Sequence, residues 1–194
     1  MLLDRPVRPA SKSPFHPNYF RMKLTRQSLL LWWGLTVTGA YLLTEYFDDA
    51  TDYGHAAILR TWTLAMLVPV VMSLLLGRRA NALVWVWAGA TVLATVENIG
   101  VHAAESKALM PFSFHTLWFL FGAAGFAYTA AVVEGSSRKR LYAGAALLNL
   151  VGAGLLLVNI EILGPYEYAV LALIQGVPML LDVPLRRQHE AQAG

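Results

Sequence analysis

The side chains best suited to chemistry in this sequence lie in the stretch 96–116, VENIGVHAAESKALMPFSFHT. It contains Glu97, Asn98, His102 and His115: a carboxylate, an amide and two imidazoles. Asn98 and His102 are four residues apart, so a helix would carry them on one face, with Glu97 about 100° round its axis. This arrangement is suited to a proton relay in which Glu97 and Asn98 are the candidate catalytic residues.

The histidines are also candidate metal ligands. Helices joined by a short loop tend to be antiparallel neighbours, and His115 follows such a loop, so it is expected at the same end of the bundle as His102. His55 begins another apolar segment at that end. Imidazole with carboxylate suits Cu, Fe or Zn, and haem is a further candidate cofactor, so all three histidines are predicted as metal ligands. The alternative is that they lie among lipid headgroups, hydrogen-bonded to water and to helix-end carbonyls.

One spacing in this stretch resembles a known copper site. Asn98-x3-His102-x12-His115 is similar to the Asp-x3-His-x12-His copper-ligand pattern of the C subunit in the particulate methane and ammonia monooxygenase family. The resemblance covers residues 98–115, and Asn98 stands where the family pattern has aspartate. It implies copper held by His102 and His115 among membrane helices.

Arg60 and Glu45 are the candidate substrate-binding residues. Arg60 lies about one turn into the second apolar segment, on the side of the predicted membrane bundle where the loops are poor in basic residues and rich in acidic ones. Its guanidinium group could clamp an anion or a carboxylate in a pocket that opens to that side, because it forms a bidentate fork. The alternative is an arginine that extends its charged end to the headgroups while its stem stays in lipid.

The elements that must position these residues are membrane helices. Of 194 residues, 57% are hydrophobic and 14% charged, which is too apolar for an ordinary soluble domain. A helix needs about 20 mostly apolar residues to cross a bilayer. Six segments meet that pattern or approach it: 28–47, 56–76, 81–101, 112–133, 141–160 and 166–182. The predicted fold is therefore all-α, a polytopic integral membrane protein with a six-transmembrane-helix bundle and short loops.

The charges predict how this bundle is oriented. Thirteen of the fifteen Lys and Arg residues fall on one side, leaving only Arg60 and Lys107 on the other. By the positive-inside rule, both termini are cytoplasmic in a plasma-type membrane. The predicted divisions are a Pro-rich basic arm at 1–27, a transmembrane domain at 28–183 and a cytoplasmic tail at 184–194. This topology accounts for the net charge of +3 without a nucleic-acid partner.

Three functions remain open on these observations. The first is a metal- or haem-binding membrane enzyme or redox subunit, acting on a hydrophobic or small substrate through the His, Glu and Asn cluster. The second is a small-molecule carrier or receptor that holds a charged group with Arg60 and Glu97. The third is a structural or accessory subunit that packs in the lipid against copies of itself or other membrane proteins. The sequence has no cysteine, which excludes disulfides, thiolate nucleophiles and cysteine-ligated metals.

Overall fold

A computed structural model describes residues 26–50, 55–77, 81–159 and 162–193. This part of the chain is helical with short connections and contains no β-strand, which confirms the all-α prediction for it. The helices are α1 (Arg26–Ala50), α2 (His55–Leu76), α3 (Ala82–Ala103), α4 (Phe114–Val132), α5 (Ser136–Val158), α6 (Glu167–Leu171) and α7 (Val177–Ala193). A π-helical turn, Ala172–Gly176, joins α6 to α7, and the three together are called the C-terminal helix. Residues 1–25 of the predicted basic arm lie outside the described residues.

The distribution of side chains is that of a membrane protein. Large apolar side chains face outward on every long helix, with Leu75 74%, Leu93 65% and Val158 85% exposed. Polar side chains lie inside instead: Asn149 and Asp182 are fully buried. Five helical stretches are long and apolar enough to cross a membrane: Ile58–Leu76, Ala82–Ala103, His115–Val132, Ser136–Val158 and Glu167–Arg186. The chain is therefore a multi-pass helical bundle suited to a bilayer.

Two helix ends differ from the sequence prediction. α5 begins at Ser136 rather than at 141, directly after Gly135, whose positive φ of 89° glycine adopts without strain. Because α5 begins at Ser136, Arg138 lies inside the helix, although the sequence predicted it in the preceding loop. The C-terminal helix ends at Ala193, well beyond 182, so it extends through most of the predicted tail.

Glycines allow the helices to approach closely. A Cβ atom at Gly152 of α5 would collide with the ring of Phe119, and one at Gly122 of α4 would collide with Asn149. A Cβ atom at Gly176, between the C-terminal helix and α1, would collide with Thr38 of α1. Without a hydrophobic driving force between helices in lipid, such close packing is a principal source of association.

The π-helical turn is stabilised by its neighbours. One backbone carbonyl in it, that of Ile174, accepts a hydrogen bond from the side-chain amide of Asn149 on α5 at 3.3 Å. Gly176, at the end of the turn, makes the close contact with α1. π-helical turns inside α-helices are frequent at functional sites. This one directs Gln175 into the interior of the bundle.

Candidate functional site

Glu97 and Asn98 lie near the end of α3 and are held by residues at the start of α4 and directly before it. Both carboxylate oxygens of Glu97 accept from the Ser113 hydroxyl at 2.7 Å, which ties α3 to the residue that precedes α4. Asn98 is 3% exposed, and its Oδ1 atom accepts from the indole Nε1 atom of Trp118 at 3.0 Å. These two predicted site residues are neighbours in the sequence, and each has a defined partner at the start of α4 or directly before it.

His115 and Glu45 contact the start of the C-terminal helix. The imidazole Nδ1 atom of His115 pairs with Glu167, and its ring meets that of Tyr168 edge-on, with 4.8 Å between the centroids. Glu45, near the end of α1, accepts from the backbone N–H of Ala169 at 3.1 Å. That N–H is one of the helix-start donors that have no partner within the helix. Both residues therefore anchor the C-terminal helix at the end of the bundle that carries the acidic residues.

The remaining predicted residues lie at the same end of the bundle. His102 is half-buried in the last turn of α3, and Arg60 is exposed in the second turn of α2. His55 is the first residue of α2. Among the side chains that the structure describes, no three His, Asp or Glu residues are grouped so that they could hold a metal ion. The metal site at His102, His115 and His55 therefore stays a prediction.

A small cavity lies at this end of the bundle and is called the acidic-end cavity. Its volume is about 50 Å³, which is room for a few water molecules. Aromatic side chains form much of its wall: Tyr41, Trp62, His115, Trp118 and Tyr168. Asn98 also borders it, so one predicted catalytic residue and one predicted metal ligand share this wall.

A network of buried amides lies deeper in the bundle. The Nε2 atom of Gln175 donates to Asn149 Oδ1 and to the backbone carbonyl of Trp118, both at 2.9 Å. The hydroxyl of Tyr41 donates to Gln175 Oε1 at 3.3 Å, and Asn149 Nδ2 donates to the carbonyl of Ala145 at 2.8 Å. This network joins four helices in a region where an unpaired amide would be costly.

The opposite end of the bundle contains a buried ion pair. Arg138 of α5 makes a bidentate contact with Asp182 of α7: Nε lies 2.5 Å from Oδ1, and Nη2 lies 2.9 Å from Oδ2. Asp182 is fully buried, and the hydroxyl of Tyr142 also hydrogen-bonds it. A carboxylate removed from water needs such partners, because the desolvation of an unpaired charge is costly.

This ion pair borders a larger cavity than the acidic-end cavity, called the basic-end cavity. Its volume is about 520 Å³, within the range of small-molecule sites. Toward the middle of the bundle its wall is apolar and aromatic, formed by Trp33, Trp87, Phe126 and Met179. Toward the end of the bundle its wall is charged, formed by Glu134, Arg138, Asp182, Arg186 and His189.

No residue at the basic end of the bundle was predicted to have a functional role. Asp182 stands out as an acid inside an apolar segment, which predicts a cationic partner. Arg138 is that partner, and the signal for it was the Gly135–Ser136 pair that marks an earlier start of α5. The cavity itself has no sequence signal, because its wall comes from helices distant in the chain.

No protein-family model, curated protein or solved structure matches this chain. Fold and cavities alone define its class, a multi-pass helical membrane bundle with a polar interior.

Proposed function

We propose that this chain is a six-helix integral membrane protein that binds a small, largely apolar molecule and serves as its carrier or receptor. α1 completes the six: it has 25 residues, and its apolar side chains Leu31, Leu35, Leu42 and Leu43 are exposed. The asymmetry of the Lys and Arg residues supports cytoplasmic termini in a plasma-type membrane. In that orientation the basic-end cavity opens toward the cytoplasm.

The basic-end cavity is the observation that carries this proposal. A volume of about 520 Å³ accommodates a molecule with several rings or a branched chain. Trp33, Trp87 and Phe126 would contact the apolar part of the ligand. At the opening, Glu134 and Arg186 would stay near water and contact its polar group. The expected ligand is therefore amphiphilic, with its apolar part in the bundle.

The acidic end of the bundle supports the enzyme hypothesis less strongly than the basic-end cavity supports a carrier or receptor. Glu97, Asn98 and His115 each have a hydrogen-bonding or ionic partner on a neighbouring helix or at its N-cap, as expected of residues that hold helix ends together. A metal- or haem-binding redox function through His102, His115 and His55 remains a separate hypothesis. Elemental analysis of purified protein beside a His102→Ala/His115→Ala variant tests it directly.

Binding in the basic-end cavity can be tested with a neutral fluorescent probe, 1-N-phenylnaphthylamine. The protein in lipid nanodiscs should show saturable binding that empty nanodiscs lack. Val84 lines the cavity, whereas Val86, two residues along α3, is 42% exposed on the outer surface. Val84→Trp should fill the cavity and abolish the saturable component, while Val86→Trp should retain it. Saturable binding unchanged by Val84→Trp would contradict the proposed location.

A further inference from the structure

A third cavity lies between the two already described and adjoins both. This middle cavity has a volume of about 20 Å³. It shares four wall residues with the acidic-end cavity: Tyr41, Trp62, Met66 and Trp118. It shares three others with the basic-end cavity: Trp33, Trp87 and Met179. The three cavities therefore adjoin in series rather than lying at separate places on the bundle.

The series follows the direction of the helices. Along α3 and the residue before it, the wall runs from Asn81 in the basic-end cavity, through Thr91 in the middle, to Asn98 in the acidic-end cavity. Residues 81–98 of a helix cover about 26 Å, close to the roughly 30 Å of a bilayer's hydrocarbon core. α4 runs in the opposite direction, so its wall residues pass from Trp118 in the acidic-end cavity to Phe126 in the basic-end cavity. The cavities thus extend across most of the membrane thickness.

Aromatic rings separate the cavities at both shared walls. Between the acidic-end and middle cavities, the ring centroids of Tyr41 and Trp62 are 4.3 Å apart, and those of Trp62 and Trp118 are 6.4 Å apart. Between the middle and basic-end cavities, Trp33 lies 6.1 Å from Trp87. The series is therefore closed at two aromatic constrictions in this structure.

Most of the indole N–H groups in these walls are already engaged within the bundle. The indole N–H groups of Trp62, Trp87 and Trp118 donate to Thr44, Thr129 and Asn98. Both hydrogens of the Gln175 amide are likewise used within the bundle. These side chains consequently offer the cavities aromatic surfaces and carbonyl oxygen rather than N–H donors.

This wall chemistry discriminates between solutes. The described residues that line the middle cavity include no charged side chain. An anion would find few donors to replace its water, and a strongly hydrated ion would lose its hydration shell. Aromatic faces attract weakly hydrated organic cations, and the attraction is strongest where water is excluded.

We infer that the three cavities form one path across the bundle, and that this path carries a weakly hydrated organic cation such as an aromatic quaternary ammonium. The inference rests on the proposed function, because the cation would occupy the basic-end cavity before or after it crosses, with its charge toward the Glu134 carboxylate at the opening. Passage requires the two aromatic constrictions to open. Trp87 is the most informative residue, because it belongs to one constriction and lines two of the cavities.

The test is uptake of two labelled solutes into proteoliposomes. Benzyltrimethylammonium and benzenesulfonate are both small aromatic ions that cross lipid poorly, and they differ in the sign of the charge. Uptake of the cation should exceed that of protein-free vesicles about tenfold, with the anion near background. Equal uptake of both ions, or uptake of neither, would overturn the inference.

Variants of Trp87 separate the aromatic surface from the indole hydrogen bond. Trp87→Phe keeps an aromatic face and should retain cation uptake within about threefold, whereas Trp87→Leu should reduce it about tenfold. Trp85→Leu is the matched control, because Trp85 is 43% exposed on the outer surface of the same helix. Equal loss in both Trp87 variants would overturn the role of the aromatic face.

A second variant does not depend on the packing of Trp87. Ala90 lines the middle cavity, so Ala90→Leu should fill it and block cation uptake, while thermal unfolding reports that the fold is kept. Full uptake by a folded Ala90→Leu protein would overturn the path. For the protein without substitutions, saturable binding of phenylnaphthylamine in the absence of cation uptake would overturn this inference alone. Absence of both binding and uptake would overturn the proposed function too.

Discussion

Among single residues, the buried ion pair should contribute most to stability. Arg138→Ala leaves the fully buried carboxylate of Asp182 without its bidentate partner, so the free energy of unfolding should fall by about 3 kcal/mol. Arg140→Ala is the matched control: Arg140 is exposed two residues along α5 and should change stability by less than about 0.5 kcal/mol. Denaturant unfolding in mixed micelles measures both, and equal effects would contradict a specific role for the pair.

A second residue-scale prediction concerns the link between α3 and α4. Trp118→Phe removes the N–H that Asn98 Oδ1 accepts while it keeps an aromatic ring, so the variant should lose about 1 kcal/mol of stability. Trp85→Phe makes the same chemical change on the outer surface and should be nearly neutral. The difference in unfolding midpoint between the two variants is the measurement. No difference would mean that Asn98 finds another donor.

The candidate residues were only partly predictable from the sequence. Glu97, Asn98 and His115 were expected at one end of the bundle because they fall at the ends of apolar segments, and the structure places them there. Their partners Ser113, Trp118 and Glu167 were not predicted. Those pairings depend on the rotation of each helix about its axis, which sequence spacing alone does not determine.

At the scale of helices, the contact between α1 and the C-terminal helix should be sensitive to added volume. Gly176→Ala would force apart two helices that touch at Thr38, so it should destabilise the protein by about 1–3 kcal/mol. Gly144→Ala on α5 meets open space and should be neutral or stabilising by up to about 1 kcal/mol. Thermal unfolding in detergent distinguishes them. A tolerated Gly176→Ala would show that the two helices can separate without cost.

Helices were easier to predict than their interruptions. Long apolar segments indicated every long helix, because composition alone is sufficient for that. The π-helical turn Ala172–Gly176 gave no such signal, since it is supported by the Asn149 side chain and by the contact between Gly176 and Thr38. Features that depend on residues far apart in the chain require the folded arrangement.

At the scale of the whole molecule, polarity and charge are distributed along different directions. Across the bundle, polarity decreases from the interior to the outer surface, as lipid requires. Along the bundle, acidic residues such as Glu97 and Glu167 gather at one end, and basic residues such as Arg138 and Arg186 at the other. The distribution across the bundle is that of a membrane protein. The distribution along the bundle predicts its orientation, and with it the side of the membrane to which each cavity opens.

The orientation can be tested on single-cysteine variants, because the chain has no cysteine of its own. Lys107 and Arg140 are exposed at opposite ends of the bundle. If the termini are cytoplasmic, a membrane-impermeant maleimide should label Lys107→Cys in intact cells and Arg140→Cys only after permeabilisation. The reverse pattern would turn the basic-end cavity toward the outside. Equal labelling of both in intact cells would indicate two orientations, which the strong asymmetry of Lys and Arg residues argues against.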